Sequence, residues 1–171
     1  MNLQQEQELV LKAQAGDREA LGALWDAFTP KLFGYLINTT RDKTLAEDLL
    51  QSTWLKAISA LPQFKSRGVS LSAWLFAIAR NECRQYWRKS SREETFNPAQ
   101  HDREVGNNQQ DDNLLVGQIL SKLSFDDREI IRLRYIADLS VNDIAKVLNI
   151  NFVAVRVRLH RAIARARQAL I

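Results

Sequence analysis

The stretch SVNDIAKVLNINFVAVRVRLHRAIARAR, residues 140–167, decides the fold of the C-terminal half and constrains the rest. Ser140 followed by Asp143 reads as a helix N-terminus, because a serine hydroxyl can accept from an unpaired N–H of the first turn. Val141 to Leu148 then make a short helix, Asn149 and Ile150 turn the chain, and a longer basic helix starts at Asn151. Ile144, Leu148, Ile150, Val155 and Leu159 supply apolar contacts between the two helices, and Ala145 is small enough to let them approach. That pattern is a helix-turn-helix. Its second helix presents Arg156, Arg158, His160 and Arg161 outward near its first two turns. Guanidinium groups placed so can reach guanine edges or phosphates in a major groove. A plain helical hairpin with a solvated arginine face is the alternative, and the absence of any acid after Asp143 counts against it.

The remainder is helical too. Apolar residues make up 46% of the 171 and charged residues 26%, a globular composition. Only six glycines and three prolines punctuate the chain, and strict apolar–polar alternation is hard to find. A first helix runs from about Gln4 to Ala15, with Gly16 at its stop and Asp17 as the next N-cap. A second carries Leu21, Leu24, Trp25 and Phe28. Pro30 either kinks it or restarts it ahead of Leu32, Tyr35 and Leu36. Thr44 and Glu47 form a T-x-x-E capping box that opens a third helix, with Leu45, Leu49, Trp54, Leu55 and Ile58, which stops near Pro62. Residues 63–70 read as a loop. A fourth helix carries Leu71, Trp74, Leu75 and Ile78 and ends near Ser90. After Leu114, helices are expected over about 114–122, 125–137, 141–148 and 152–170, with Ser124 capping the second of these. The expected fold class is all-α.

Residues 92–112 differ in kind. They are polar, hold Pro98 and Gly106, and include only Phe96 and Val105 as bulky apolar residues. Such a stretch buries too little surface to offset its ordering entropy and reads as a flexible linker. The expected organisation is therefore a domain over 1–91, a linker over 92–112 and a second domain over 113–171. Charge follows the same division: residues 1–96 balance at +2, 97–113 at −3 and 114–171 at +5, for a net +4. Arg84, Arg88, Lys89 and Arg92 form one acid-free basic cluster. Arg156, Arg158, Arg161, Arg165 and Arg167 form another. Two basic clusters flanking an acidic stretch suggest two modules that meet a polyanion, the bland reading being solvated helix faces.

Several functions are excluded by what the chain lacks. With a single cysteine, Cys83, it can form neither an intramolecular disulfide nor a thiolate zinc cluster. It has no G-x-x-x-x-G-K-[ST], no G-x-G-x-x-G and no H-E-x-x-H. Cys83 has no histidine nearby in sequence and reads as a buried structural thiol. Glu47 and Asp48 are adjacent on a helix and point apart, so they are not a catalytic carboxylate pair. The chain is not expected to be an enzyme or to need a cofactor or metal. No run approaches 18 apolar residues, and Met1 to Glu8 lacks the order of a signal peptide, so a cytoplasmic location is expected.

Three stretches carry a family resemblance: LAEDLLQSTWLKAI (45–58), AWLFAIARNECRQYWRK (73–89), and Leu123 through Ala162 with the helix-turn-helix. In this order they resemble the bacterial extracytoplasmic-function, or group 4, sigma factors of RNA polymerase in the sigma-70 family. The resemblance implies a sigma region 2 bundle and a sigma region 4 helix-turn-helix joined by a linker. The third helix would bind the clamp helices of the largest polymerase subunit through Asp48, Leu49, Gln51, Trp54 and Leu55. The loop 64–70 and the fourth helix would capture and melt the −10 element, with Phe64, Lys65, Ser66, Arg67, Arg80, Asn81, Arg84, Trp87, Arg88 and Lys89 along the path of the DNA. Extruding a base costs a few kcal/mol, so that path must offer a pocket and polar edges. Trp74 reads as core. Arg156, Arg158, His160 and Arg161 would read and clamp the −35 duplex.

The same resemblance implies promoter DNA, core polymerase (its flap included, for the C-terminal domain) and an anti-sigma factor as partners of a monomer. An anti-sigma factor could hold it at the inner face of the membrane. The linker would thread toward the polymerase active-site cleft, its acids Asp102, Glu104, Asp111 and Asp112 mimicking nucleic acid or simply being solvated. The chain departs from the family where Val153-Ala154 stand for a common Gly-Thr pair and Val157 for a small polar residue, which alters the contact pattern at the −35 element. The competing reading is a stand-alone helix-turn-helix regulator with a helical sensor domain, binding duplex DNA as a dimer. A basic aromatic helix ending in RQYWRK has no place in such a sensor, and no dimer seam is evident.

Overall fold

The computed structural model describes residues 3–66, 68–93 and 117–169, and all regular structure among them is helical. Helix α1 spans Leu3–Gln14, α2 Arg18–Thr40 and α3 Lys43–Ala60. A 3-10 turn, Leu61–Gln63, follows, and then α4 spans Leu71–Glu93. The C-terminal part has a helical turn at 117–121. Then come α5 (Phe125–Ile131) running into a π segment (Arg132–Ile136), α6 (Val141–Leu148) and α7 (Phe152–Gln168). The linker expected over 92–112 lies outside the described residues apart from the backbone end of α4.

Local chemistry sets most boundaries. Gly16 adopts a positive φ of 92° after α1, and the Asp17 side chain then accepts from the N–H groups of Glu19 and Ala20. Arg41 closes α2 in the left-handed conformation, its N–H donating to the Ile37 carbonyl. The chain leaves it extended at Asp42, whose carboxylate accepts from the Leu45 N–H at 3.0 Å. Asp42, not Thr44, is therefore the cap of α3. Glu47 turns to Lys43 at 3.8 Å instead of back to a Thr44 capping box. Pro30 neither breaks nor restarts α2. It removes one ladder donor, but Leu24, Phe28, Leu32, Tyr35 and Leu36 are buried on both sides of it and hold one helix together. The single helix expected over 125–137 instead widens into the π segment at Arg132. This turns Arg132 and Leu133 inward, 5% and 0% exposed, before Asp138 reverses the chain at φ 56°.

Two cores form and merge. Leu24, Leu32, Tyr35, Leu36, Leu75 and Phe76 fill the N-terminal bundle, and Leu133, Leu139, Ile144, Val155 and Ala162 the C-terminal one, in one continuous apolar cluster. Helix α4 packs against α6, and α2 against the π segment. Polar pairs stitch this seam. Arg80 of α4 grips Glu129 of α5 through Nε at 2.6 Å and a second guanidinium nitrogen at 3.2 Å. Arg132 Nε donates to Asn38 Oδ1 at 2.9 Å, Ser70 Oγ donates to Asp143 Oδ1 at 2.6 Å, and Lys31 meets Asp138 at 3.0 Å.

Candidate nucleic-acid interface

Helix α7 is presented by its own cap and by α6. Ser140 caps α6, accepting from the Asp143 N–H at 3.1 Å and donating to the Asp143 carboxylate at 2.7 Å. Asn149 ends α6 at φ 53°, a left-handed position that asparagine tolerates. Asn151 then starts α7, its side chain accepting from the Ala154 N–H at 2.7 Å. Val155 and Ala162 are wholly buried against the rest of the domain. Arg156, Arg158, His160 and Arg161 are all exposed. The Arg156 guanidinium lies 5.8 Å from the centre of the Phe152 ring, a cation–π contact that favours one orientation of a long side chain. Arg165 is spent internally, bound to the buried Asp127 carboxylate at 2.6 Å.

Helix α4 carries the second basic face. Asn81, Arg84, Arg88 and Lys89 are exposed along it. Arg80 and Trp87 are not free in this arrangement. Arg80 is half-buried on Glu129, and Trp87 sets its ring edge-on to Phe125, centroids 6.1 Å apart. A small cleft between α4 and α5 is lined by these residues with Tyr35, Cys83 and Arg132. Its burial pushes the Cys83 thiol up to about 12 and Arg132 down to about 10, desolvation being the largest cause of each. In the loop before α4, Phe64 tilts against Trp74 at 4.8 Å, with Lys65 and Ser66 exposed. Arg67 lies outside the described residues. The Gln14 amide fastens the start of this loop by donating to the carbonyls of Leu61 and Phe64 at 2.9 and 2.8 Å. Ser70 begins α4 by accepting from the Ala73 N–H at 3.0 Å.

On α3 the five residues expected to meet polymerase divide. Asp48, Gln51 and Leu55 are exposed, Leu55 by 63%. Leu49 and Trp54 belong to the core instead, 6% and 3% exposed. Trp54 stacks on Trp25 at 4.7 Å and donates its indole N–H to Thr29 Oγ1 at 3.0 Å. The reason is helical geometry: positions 46, 49, 53, 54 and 57 share the inner face. Ile58, 39% exposed, joins Leu55 on the outside.

Sequence reasoning missed the partners that join the halves, Glu129, Asp143 and Asn38, and the Gln14 amide that fastens the loop before α4. One signal was available, since Asp127, Glu129 and Arg132 interrupt the apolar pattern of 125–137, and charged groups at such positions require partners. Which partners they take is a long-range fact.

These features define a class: two helical units, each with an exposed basic helix face among the described residues. Comparison with known proteins sharpens it. Residues 24–93 match the family model Sigma-70 region 2, and residues 113–170 match Sigma-70, region 4. The ECF RNA polymerase sigma factor BldN of Streptomyces coelicolor is 32% identical over 165 residues, covering 91% of this chain and 62% of that protein's length. The solved structure of CnrH in complex with the cytosolic domain of CnrY is similar with a TM-score of 0.76 and 27% identity, over 97% of each chain. That of the sigma factor RpoE in complex with the anti-sigma factor NepR from Bartonella quintana has a TM-score of 0.69 and 29% identity, over 88% of this chain and 96% of that one. The chain belongs to the sigma-70 family, as an extracytoplasmic-function RNA polymerase sigma factor.

Proposed function

We propose that this chain gives a bacterial core RNA polymerase its promoter specificity, reading −35 and −10 elements and directing initiation. The observation that carries the reading is the presence, in one chain of this family, of two exposed basic helix faces, on α4 and α7. Residues 1–91 act as the domain for polymerase docking and the −10 element, and 113–171 as the −35 reader. The outer face of α3 (Asp48, Gln51 and Leu55) meets the clamp helices. Lys65, Ser66, Asn81, Arg84, Arg88 and Lys89 contact the −10 strand. Arg156, Arg158, His160 and Arg161 contact the −35 duplex, with phosphate contacts dominating affinity. Nucleotide chemistry belongs to the polymerase, and this chain contributes none.

The merged arrangement bears on control. Arg80 and Trp87, on the expected −10 path, are engaged by Glu129 and Phe125. Promoter engagement through that path therefore requires the two units to part. RpoE, the relative solved with an anti-sigma factor, supports inhibition of this chain by a cytoplasmic partner of the same kind, acting on a monomer.

Run-off transcription from genomic fragments with purified, sigma-free core polymerase tests the proposal. Transcripts sharing two spaced upstream elements are expected, and they should be lost in Asp48→Ala/Gln51→Ala. Tight duplex binding by the chain alone, with no transcription from any core polymerase, would overturn it in favour of a stand-alone regulator.

A further inference from the structure

Two residues in the middle of the exposed side of α7 are valines. Val153 is 67% exposed and Val157 42%, on the side of the helix opposite the buried Val155 and Ala162. Single exposed apolar residues need no explanation. These two are four residues apart, so they stand one above the other on a single face. Phe152, 42% exposed, adjoins them and orients Arg156. Neither valine contributes to the core, and both occupy positions where a small or polar side chain would fold equally well. Helix α7 contains five arginines and no acid. The apolar strip is thus framed by cations that would hold it against a polyanion.

We infer that Val153 and Val157 read thymine C5-methyl groups in the major groove of the upstream element, making A·T pairs part of this chain's −35 specificity. The inference rests on the promoter-specificity reading above. Thymine is the one base that offers an apolar group at the major-groove edge, and apolar side chains contact it there. Four helical residues span about 6 Å and a base step about 3.4 Å, so the two methyls belong to base pairs one or two steps apart. Arg156 and Arg161, exposed on either flank of the strip, supply the phosphate or guanine contacts that fix its register.

The test uses holoenzyme reconstituted from purified core polymerase and the full chain. Duplexes randomised across the upstream element are enriched by binding. Each thymine of the recovered element is then replaced by deoxyuridine, which removes the methyl alone. One or two positions should lose about four-fold in binding, the value of one buried methyl. Val153→Ala and Val157→Ala should each make one of those positions indifferent to the methyl while the rest of the preference is kept. Uridine tolerated everywhere would overturn the inference, as would losses that persist in both variants. Variants that weaken polymerase assembly without changing DNA selectivity would also overturn it, marking the strip as a protein contact. If no element is enriched at all, the promoter reading fails, and the methyl reading with it.

Discussion

On α3, neighbouring side chains divide between those that hold the fold and those proposed to meet a partner. Trp54 is buried on Trp25 and bonded to Thr29, whereas Asp48, Gln51 and Leu55 face outward. Trp54→Ala should cost about 3–5 kcal/mol of unfolding free energy, the usual loss for a buried tryptophan. Thr29→Val should cost about 1–3 kcal/mol by leaving the indole N–H without an acceptor. Asp48→Ala and Gln51→Ala should each change stability by no more than about 0.5 kcal/mol while weakening assembly with core polymerase. Chemical denaturation and a polymerase-binding titration on the same variants separate the two classes. The sequence already marks Trp54 and Leu55 as apolar neighbours on one helix. It cannot say which looks inward, because adjacent positions straddle the boundary of an apolar stripe, and the packing of α2 against α3 settles the choice.

Helix ends show what is local and what is not. The caps of α6 and α7, at Ser140 and Asn151, follow from chemistry within three residues, which is why the helix-turn-helix is legible in the sequence alone. Asn151→Ala should cost about 1 kcal/mol and loosen the N-terminal turn that carries Val153 and Arg156. Thermal melting and duplex selectivity should therefore move together in that variant. The start of α3 differs from the expected Thr44 box, because Asp42, two residues earlier, also carries a side chain able to cap. The left-handed turn at Arg41 gives the position to Asp42. The N-terminus of α4 is harder still, since the Leu71 N–H is taken at 3.2 Å by Glu6 of α1, 65 residues away. Desolvation raises the Glu6 pKa above its ordinary value of 4.5, with Asp143 adding to the effect. Its folded-state value exceeds the unfolded one, so the folded chain holds this proton more tightly. The contribution is fully present below pH 4.5 and is lost as pH rises through the folded value. Glu6→Gln should flatten the pH dependence of unfolding just above pH 4.5, measured by denaturant titration across that range.

At the scale of the whole molecule, the question is how firmly the two units are joined. The seam is apolar at its centre, and the ion pair Arg80–Glu129 crosses it, with side chains 19% and 8% exposed. Removing one partner of a buried pair is costly because the other charge is left without compensation. Nothing in the sequence could couple residues 80 and 129. Each reads as an ordinary charge on a helix, and only the folded seam shows that a cation on the proposed DNA path already has a carboxylate partner. Cys83, the single cysteine, gives this seam a reporter, since the residue is 1% exposed and borders the cleft beside Glu129. With burial holding it near 12, the thiol stays protonated at pH 8, and thiolate is the reactive form. In the free chain Cys83 should therefore react with a thiol reagent far more slowly than in the urea-unfolded chain. Glu129→Gln keeps the size of the side chain and removes the charge that holds Arg80, so it should raise the labelling rate without unfolding either unit. Promoter binding by the holoenzyme should raise the rate as well, because the proposed −10 path needs Arg80 and Trp87 released. Rapid labelling of the free wild-type chain would mean that the seam is not maintained in solution. A Glu129→Gln rate equal to wild type would mean that the apolar contacts alone govern opening and that the Arg80 pair is incidental to it.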